Sequence, residues 1–222
     1  IETLKGKKFL IHEEQGIGDI IQFCRYLTLL EQKGAEVTFK VKQKLHALLS
    51  TLDSNIILTD TFPNDNKFDF EARLMSLPHL FKTNINTIPS TKSYLCTNHN
   101  KVISWGKRFT KNTFKIGVCW QGSKNKTDFG RFFPLSVFEG ISKLPNIELI
   151  SLHKGDGENQ IKDGNFEINK LDDDFDVGDN AFIDTAAVIA NCDLIITTDT
   201  AVAHLAGALG YPTWLALQKS PH

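Results

Sequence analysis

Short apolar runs alternate along the chain with segments whose apolar positions recur at helical spacing. Residues 7–12 (KKFLIH) form the first run, which ends in a glycine-bearing turn, EEQGIGD. From Asp19 onward, Ile20, Ile21, Phe23, Cys24, Leu27 and Leu30 mark one face of a helix that Gly34 closes as a C′ residue. EVTFKV (36–41) reads as a strand, KLHALLSTL (44–52) as a helix, and NIILTD (55–60) as a strand again. This order predicts a parallel sheet with right-handed crossovers. Residues 68–81 predict a short strand and a short helix, 82–97 a loop, and 99–109 a connecting helix.

The second half repeats the logic. KIGVCWQG (115–122) is a buried strand that runs into a polar loop, SKNKTDFGR. Pro134 suits the first turn of a helix through Leu144. IELISLHKG (147–155) reads as strand and turn, and 156–181 as an acidic connection rich in Gly and Asp. FIDTAAVIANC (182–192) is helical, DLIITTD (193–199) a buried strand, AVAHLAGALG (201–210) a helix, and TWLALQ (213–218) the last strand. Two α/β domains follow, residues 1–112 and 113–222, with no internal repeat.

Composition narrows the function classes. The chain has 222 residues, 41% of them hydrophobic, so it can bury a core and is not globally disordered. Lys plus Arg (25) balances Asp plus Glu (26), which argues against a polyelectrolyte surface for nucleic acid. No run approaches the ~18 apolar residues of a bilayer span. No signal segment opens the chain, and a start at Ile1 reads as a fragment. Cys24, Cys96, Cys119 and Cys192 form no CxxC pair and read as reduced cysteines of a cytoplasmic protein.

Candidate chemistry gathers in the turns after strands, where ligands collect in open parallel sheets. In Glu14-Gln15-Gly16-Ile17-Gly18-Asp19, Gly16 and Gly18 would let backbone approach a ligand. Asp19 is either a reactive carboxylate or an N-cap. A dinucleotide fingerprint would need Gly where Ile21 stands. In Thr197-Thr198-Asp199-Thr200-Ala201-Val202-Ala203-His204, a buried strand turns into a small-residue helix whose free amides suit a phosphate. His204 falls in its first turn, and the bland reading keeps Thr200 or Asp199 as a cap. Gln121 begins a loop whose Lys124, Lys126 and Arg131 could clamp a polyphosphate or merely face solvent. His153 and Lys154 form a weaker example. Asp172, Asp173, Asp174 and Asp176 lack calcium-loop spacing and read as a solvated acidic loop, so no metal site is expected.

Four stretches, EQGIGDIIQFCRYLTLL, FDFEARLMSLP, IGVCWQGSKNKTDFGRFFPL and DTAVAHLAGALGYPTW, resemble a known family in their order and spacing. It is the glycosyltransferase domain often joined to tetratricopeptide repeats, related to the ADP-heptose lipopolysaccharide heptosyltransferases. The likeness runs across essentially the whole chain. It implies a GT-B-like α/β fold, two Rossmann-like parallel-sheet domains facing across a cleft, the first on the acceptor side and the second holding the nucleotide sugar. It also implies metal-independent transfer with inversion, from a nucleotide-diphosphate sugar to a glycan, lipopolysaccharide or protein acceptor. By the same resemblance Asp19 matches the general base, and Arg131 a basic residue near the donor phosphates. Asp199, Thr200 and His204 match the phosphate signature, with Ala201 where heptosyltransferases usually have Gly. An attached tetratricopeptide region and a peripheral position at the inner membrane face are further implications. The rival readings are a nucleotide-sugar-binding module without turnover, a nucleotide-sugar epimerase and a dinucleotide oxidoreductase.

Overall fold

The computed structural model describes residues 4–62, 67–90, 92–122, 132–178 and 180–217. Its first sheet grows from β1 (Lys8–His12), α1 (Ile17–Phe23), α2 (Arg25–Gln32), β2 (Glu36–Lys40), α3 (His46–Leu49), β3 (Ile57–Thr59) and β4 (Phe70–Arg73). The strands lie in the order β3-β2-β1-β4, all parallel. The short α4 (Leu77–Leu80) and then α5 (His99–Gly106) lead to the second sheet. That sheet holds β5 (Phe114–Cys119), β6 (Ile147–Ser151), β7 (Asn169–Lys170), β8 (Leu194–Thr198) and β9 (Thr213–Ala216), in the parallel order β7-β6-β5-β8-β9. Between them run α6 (Glu139–Ser142), α7 (Asn159–Asp163), α8 (Ile183–Ile189) and α9 (Ala201–Leu209). Each sheet starts at an inner strand, and the strand order switches sides there, between β1 and β4 and between β5 and β8, the kind of position at which open parallel sheets bind ligands.

Several elements depart from the pattern. The helix expected from Asp19 starts earlier, at Ile17, and is divided at Cys24, a fully buried residue whose thiol donates to the Ile21 carbonyl. Pro134 does not enter a helix; it precedes a 3-10 turn at Leu135–Phe138. The acidic connection 156–181 holds α7 and the two-residue β7, elements too short and polar to leave a periodic signal. Cys24, Cys119 and Cys192 are buried, Cys96 is exposed, and all four are free thiols. Among the described residues, no helix is long and apolar enough to cross a membrane.

One apolar core runs through both sheets' helices, from Ile11, Leu27 and Phe39 to Ala186, Ile189, Leu205 and Ala208. It is continuous because α1 packs on α9 and α5 on α8. Each fully buried Leu or Ile in that seam contributes roughly 1.5–3 kcal/mol, so apolar contact dominates the joint. Polar bonds fix its register. Trp105 Nε1 donates to Asp184 Oδ1 at 2.8 Å and Lys101 Nζ to the same oxygen at 2.7 Å. Tyr94 N–H donates to the Ala208 carbonyl at 2.9 Å. Gly210 ends α9 with φ +78, and a β-carbon there would lie 2.5 Å from the Lys92 carbonyl oxygen. Only glycine satisfies both the left-handed turn and that close approach.

Candidate functional site

The loop leaving β1 is pinned before it reaches α1. Glu13 Oε2 accepts the Lys42 N–H and Glu14 Oε1 accepts the Met75 N–H, which ties the loop to the ends of β2 and β4. Gly16 then caps α1 in extended conformation, and Asp19 stands at the third helical position. The carboxylate turns back, and its Oδ2 accepts the Gly16 N–H at 2.9 Å. Asp19 is therefore not the N-cap, although it does help close the helix start. An anion at that end of a helix is electrostatically favoured.

The chain leaving β8 passes Asp199 and enters α9 through Thr200, the N-cap residue. Thr200 makes no side-chain cap. Thr197 donates its hydroxyl to the Thr198 carbonyl, so at 3.1 Å the Thr200 hydroxyl is the donor to Thr197 Oγ1. The amides of Ala201 and Val202 are thus left without a side-chain partner from the cap, a ready anion site. One turn along, His204 Nε2 lies 3.9 Å from Asp199 Oδ1. Burial lowers the His204 imidazole below its ordinary value, opposed by the charges of Asp199 and Asp19 and aided by Arg25.

These two helix starts meet. A β-carbon built on Gly18 would fall 2.7 Å from His204 Cδ2 and 3.6 Å from the Ala201 Cα. Asp19 thus comes from one sheet, and Asp199, Thr200, Ala201 and His204 from the other, to a single seam. Gly16 is the capping residue on its near side.

The remaining sequence candidates behave differently. His153 is buried, stacked on Trp120 with ring centroids 4.2 Å apart, and its Nε2 bonds the Asp156 carbonyl. Burial lowers its imidazole as well. Lys154 spends its ammonium on the carbonyls of Phe175 and Asp176. Gln121 is buried beside His153, against Gly157, and its Nε2 has no hydrogen-bond partner among the described residues. Lys124, Lys126 and Arg131 lie outside the described residues. The acidic loop is only partly solvated: Asp172 and Asp174 pair with Arg108, and the Asp176 carboxylate accepts the backbone N–H groups of Asp184 and Thr185. Among the described residues, no group of three or more His, Cys, Asp or Glu could hold a metal ion.

Sequence reasoning passed over Arg25. Its guanidinium lies over the Tyr94 ring at 4.5 Å, bonds the Tyr94 hydroxyl and the Pro89 carbonyl, and acts on His204 through its charge. A cation inside the apolar helical run FCRYLTLL was the available signal.

Comparison with known proteins bears on this arrangement. The family described as glycosyltransferase family 9 (heptosyltransferase) matches residues 177–217, which hold α8 through β9 and therefore Asp199, Thr200, Ala201 and His204. The chain is 24% identical over 244 residues to Protein FlbA of Caulobacter vibrioides, covering 96% of itself and 40% of that protein. Among solved structures, the glycosyl transferase family 9 protein of Veillonella parvula superposes with a TM-score of 0.68 at 11% identity, over 97% of this chain and 87% of that one. The E. coli ADP-heptose lps heptosyltransferase II does so with a TM-score of 0.65 at 14% identity, over 94% and 84%. In fold, then, this chain is a GT-B-like α/β protein, similar throughout its length to glycosyltransferase family 9 structures.

Proposed function

We propose that the chain is a glycosyltransferase that moves a sugar from a nucleotide-diphosphate donor to an acceptor hydroxyl. What supports this reading is the seam itself: the start of α1, which carries the Asp19 carboxylate, packs at Gly18 against the start of α9, whose N-cap side chain makes no cap. Such a pair supplies what sugar transfer requires, a base for the acceptor and an electrostatic sink for the departing diphosphate. Asp19 takes the proton from the acceptor hydroxyl as its oxygen attacks the anomeric carbon. The bond from that carbon to the diphosphate breaks on the opposite face, which inverts the centre. The leaving charge falls on the amides at the start of α9, with His204, the Thr200 hydroxyl and Arg131 adding charge or hydrogen bonds. In this scheme the cations and amides do the work that a divalent metal does elsewhere. Residues 1–112 serve as the acceptor-side domain and 113–222 as the nucleotide-sugar domain. Because the solved neighbours include an ADP-heptose enzyme, ADP-sugars are the first donors to try.

The bond from Gly16 N–H to Asp19 favours a second reading. In it Asp19 is structural, and the chain binds a nucleotide sugar without turning it over. A screen of nucleotide diphosphates and their sugars, followed by transfer assays with and without chelator, separates the two. Transfer that persists in chelator supports the first reading. Tight donor binding with no transfer or hydrolysis across broad acceptor pools supports the second, and no nucleotide binding at all rejects both.

A further inference from the structure

Gly18 sits in the first turn of α1, on the first sheet's side of the seam, whereas His204 sits in the first turn of α9. The 2.7 Å from a Gly18 β-carbon to His204 Cδ2 is shorter than any real contact, and Nε2 would be only 3.4 Å away. The Ala201 Cα lies 3.6 Å from the same point, an ordinary contact, so the clash falls on the His204 ring. His204 is therefore held between a carboxylate of its own half, Asp199 at 3.9 Å, and the bare α-carbon of the other half. No left-handed turn demands glycine at position 18; the close approach does.

We propose that Gly18 is a positioning residue for the donor diphosphate: its missing side chain admits the His204 ring to the place from which Nε2 reaches a ligand at the start of α9. This rests on the donor placement proposed above. Gly18 touches no donor group itself and acts only through His204. The affinity for a diphosphate bound on one half then depends on a residue of the other half. Any side chain at position 18 drives the ring out of the seam and removes one charge-assisted bond.

A double-mutant cycle on the full chain tests it, with Gly18→Ala, His204→Ala and the pair. Binding of ADP, UDP and GDP is measured by titration calorimetry, and thermal unfolding is recorded alongside. Gly18→Ala and His204→Ala are each expected to weaken the best-bound diphosphate by about tenfold. The pair is expected to lose no more than His204→Ala alone, because the added methyl then has nothing to displace. A merely structural glycine would cost the same in both backgrounds, and that result overturns the proposal. Unchanged affinity in Gly18→Ala beside a clear loss in His204→Ala also overturns it, while leaving the donor placement intact. No effect of His204→Ala removes the placement and this inference together. Should Gly18→Ala fail to fold, normal folding of the pair supports the steric account, and failure of the pair rejects it.

Discussion

The Asp19 carboxylate accepts the Gly16 backbone N–H at 2.9 Å, so the side chain that helps close α1 is the same one whose charge acts on His204 of α9. Asparagine separates these duties, since its carbonyl oxygen can accept the same N–H but cannot take a proton from an acceptor. Asp19→Asn is expected to keep the unfolding midpoint near that of the parent while transfer falls roughly 10²–10⁴-fold. Asp19→Ala is expected to lose transfer and, in addition, about 0.5–1.5 kcal/mol of stability as the hydrogen bond goes. Paired transfer assays and urea unfolding check both. Full transfer by the Asn variant would return Asp19 to a structural role.

Asp184 is the polar hub of the α5–α8 contact. Buried on α8, it accepts from the Trp105 indole, the Lys101 ammonium and the Asp176 N–H. Lys101 is about half exposed and can return to water, but the indole of Trp105 is buried and would be stranded. An unsatisfied buried donor costs about 1–3 kcal/mol. The destabilisation is therefore expected to rank Asp184→Ala above Lys101→Met, by about 1–3 kcal/mol on that account. Equal urea midpoints for the two variants would contradict this account of the joint.

Much of this architecture was legible because burial writes itself into apolar runs. IGVC and LIIT read as buried strands and FLI as an apolar run, and all three are inner strands of their sheets, while Gly34 and Gly210 marked helix ends where φ is indeed positive. The polar β7 and the one-turn α7 were not legible, because elements that short are held by neighbours rather than by their own pattern. The turns carrying Asp19 and Thr200 could be found from sequence, but their meeting could not. It depends on α1 and α9 packing across two sheets, a contact between residues nearly two hundred positions apart. The surroundings of His153 were hidden for a related reason. A histidine after a strand looks like a surface cation until Trp120 is seen stacked upon it.

That stacked histidine gives the stability a pH signature. Burial lowers the imidazole of His153 below its ordinary 6.5, and the same holds for His204. In this sign, the unfolded chain binds a proton that the folded chain refuses as pH drops below 6.5. The stabilising contribution is complete above that pH and is lost as pH falls through the folded-state value. Chemical unfolding between pH 7.5 and 5 is expected to show a declining midpoint. In His153→Gln, which can still bond the Asp156 carbonyl but cannot titrate, the decline is expected to be shallower. Parallel curves for the two proteins would show that His153 does not contribute.

Thr200 offers the most direct view of how a diphosphate is held. Its hydroxyl hydrogen is committed to Thr197, whose own hydrogen goes to the Thr198 carbonyl, so this chain of bonds points into the protein. To donate to a phosphate, Thr200 must give up the bond to Thr197, and the net gain is the difference between two hydrogen bonds. The amides of Ala201 and Val202 make no bond to the N-cap side chain, so no exchange with Thr200 is needed there. Thr200→Val keeps the branched shape against Gly122 and removes only the hydroxyl. It is expected to cost about 0.5–1.5 kcal/mol of stability from the lost bond to Thr197. Its effect on ADP affinity is expected to be about threefold or less, well below the loss in His204→Ala, since Thr200 gains only the difference between two hydrogen bonds. Adenosine, which has no phosphate, should bind both variants as it binds the parent. A larger loss of ADP in Thr200→Val than in His204→Ala would make the hydroxyl, rather than the imidazole and the amides, the principal ligand of the diphosphate.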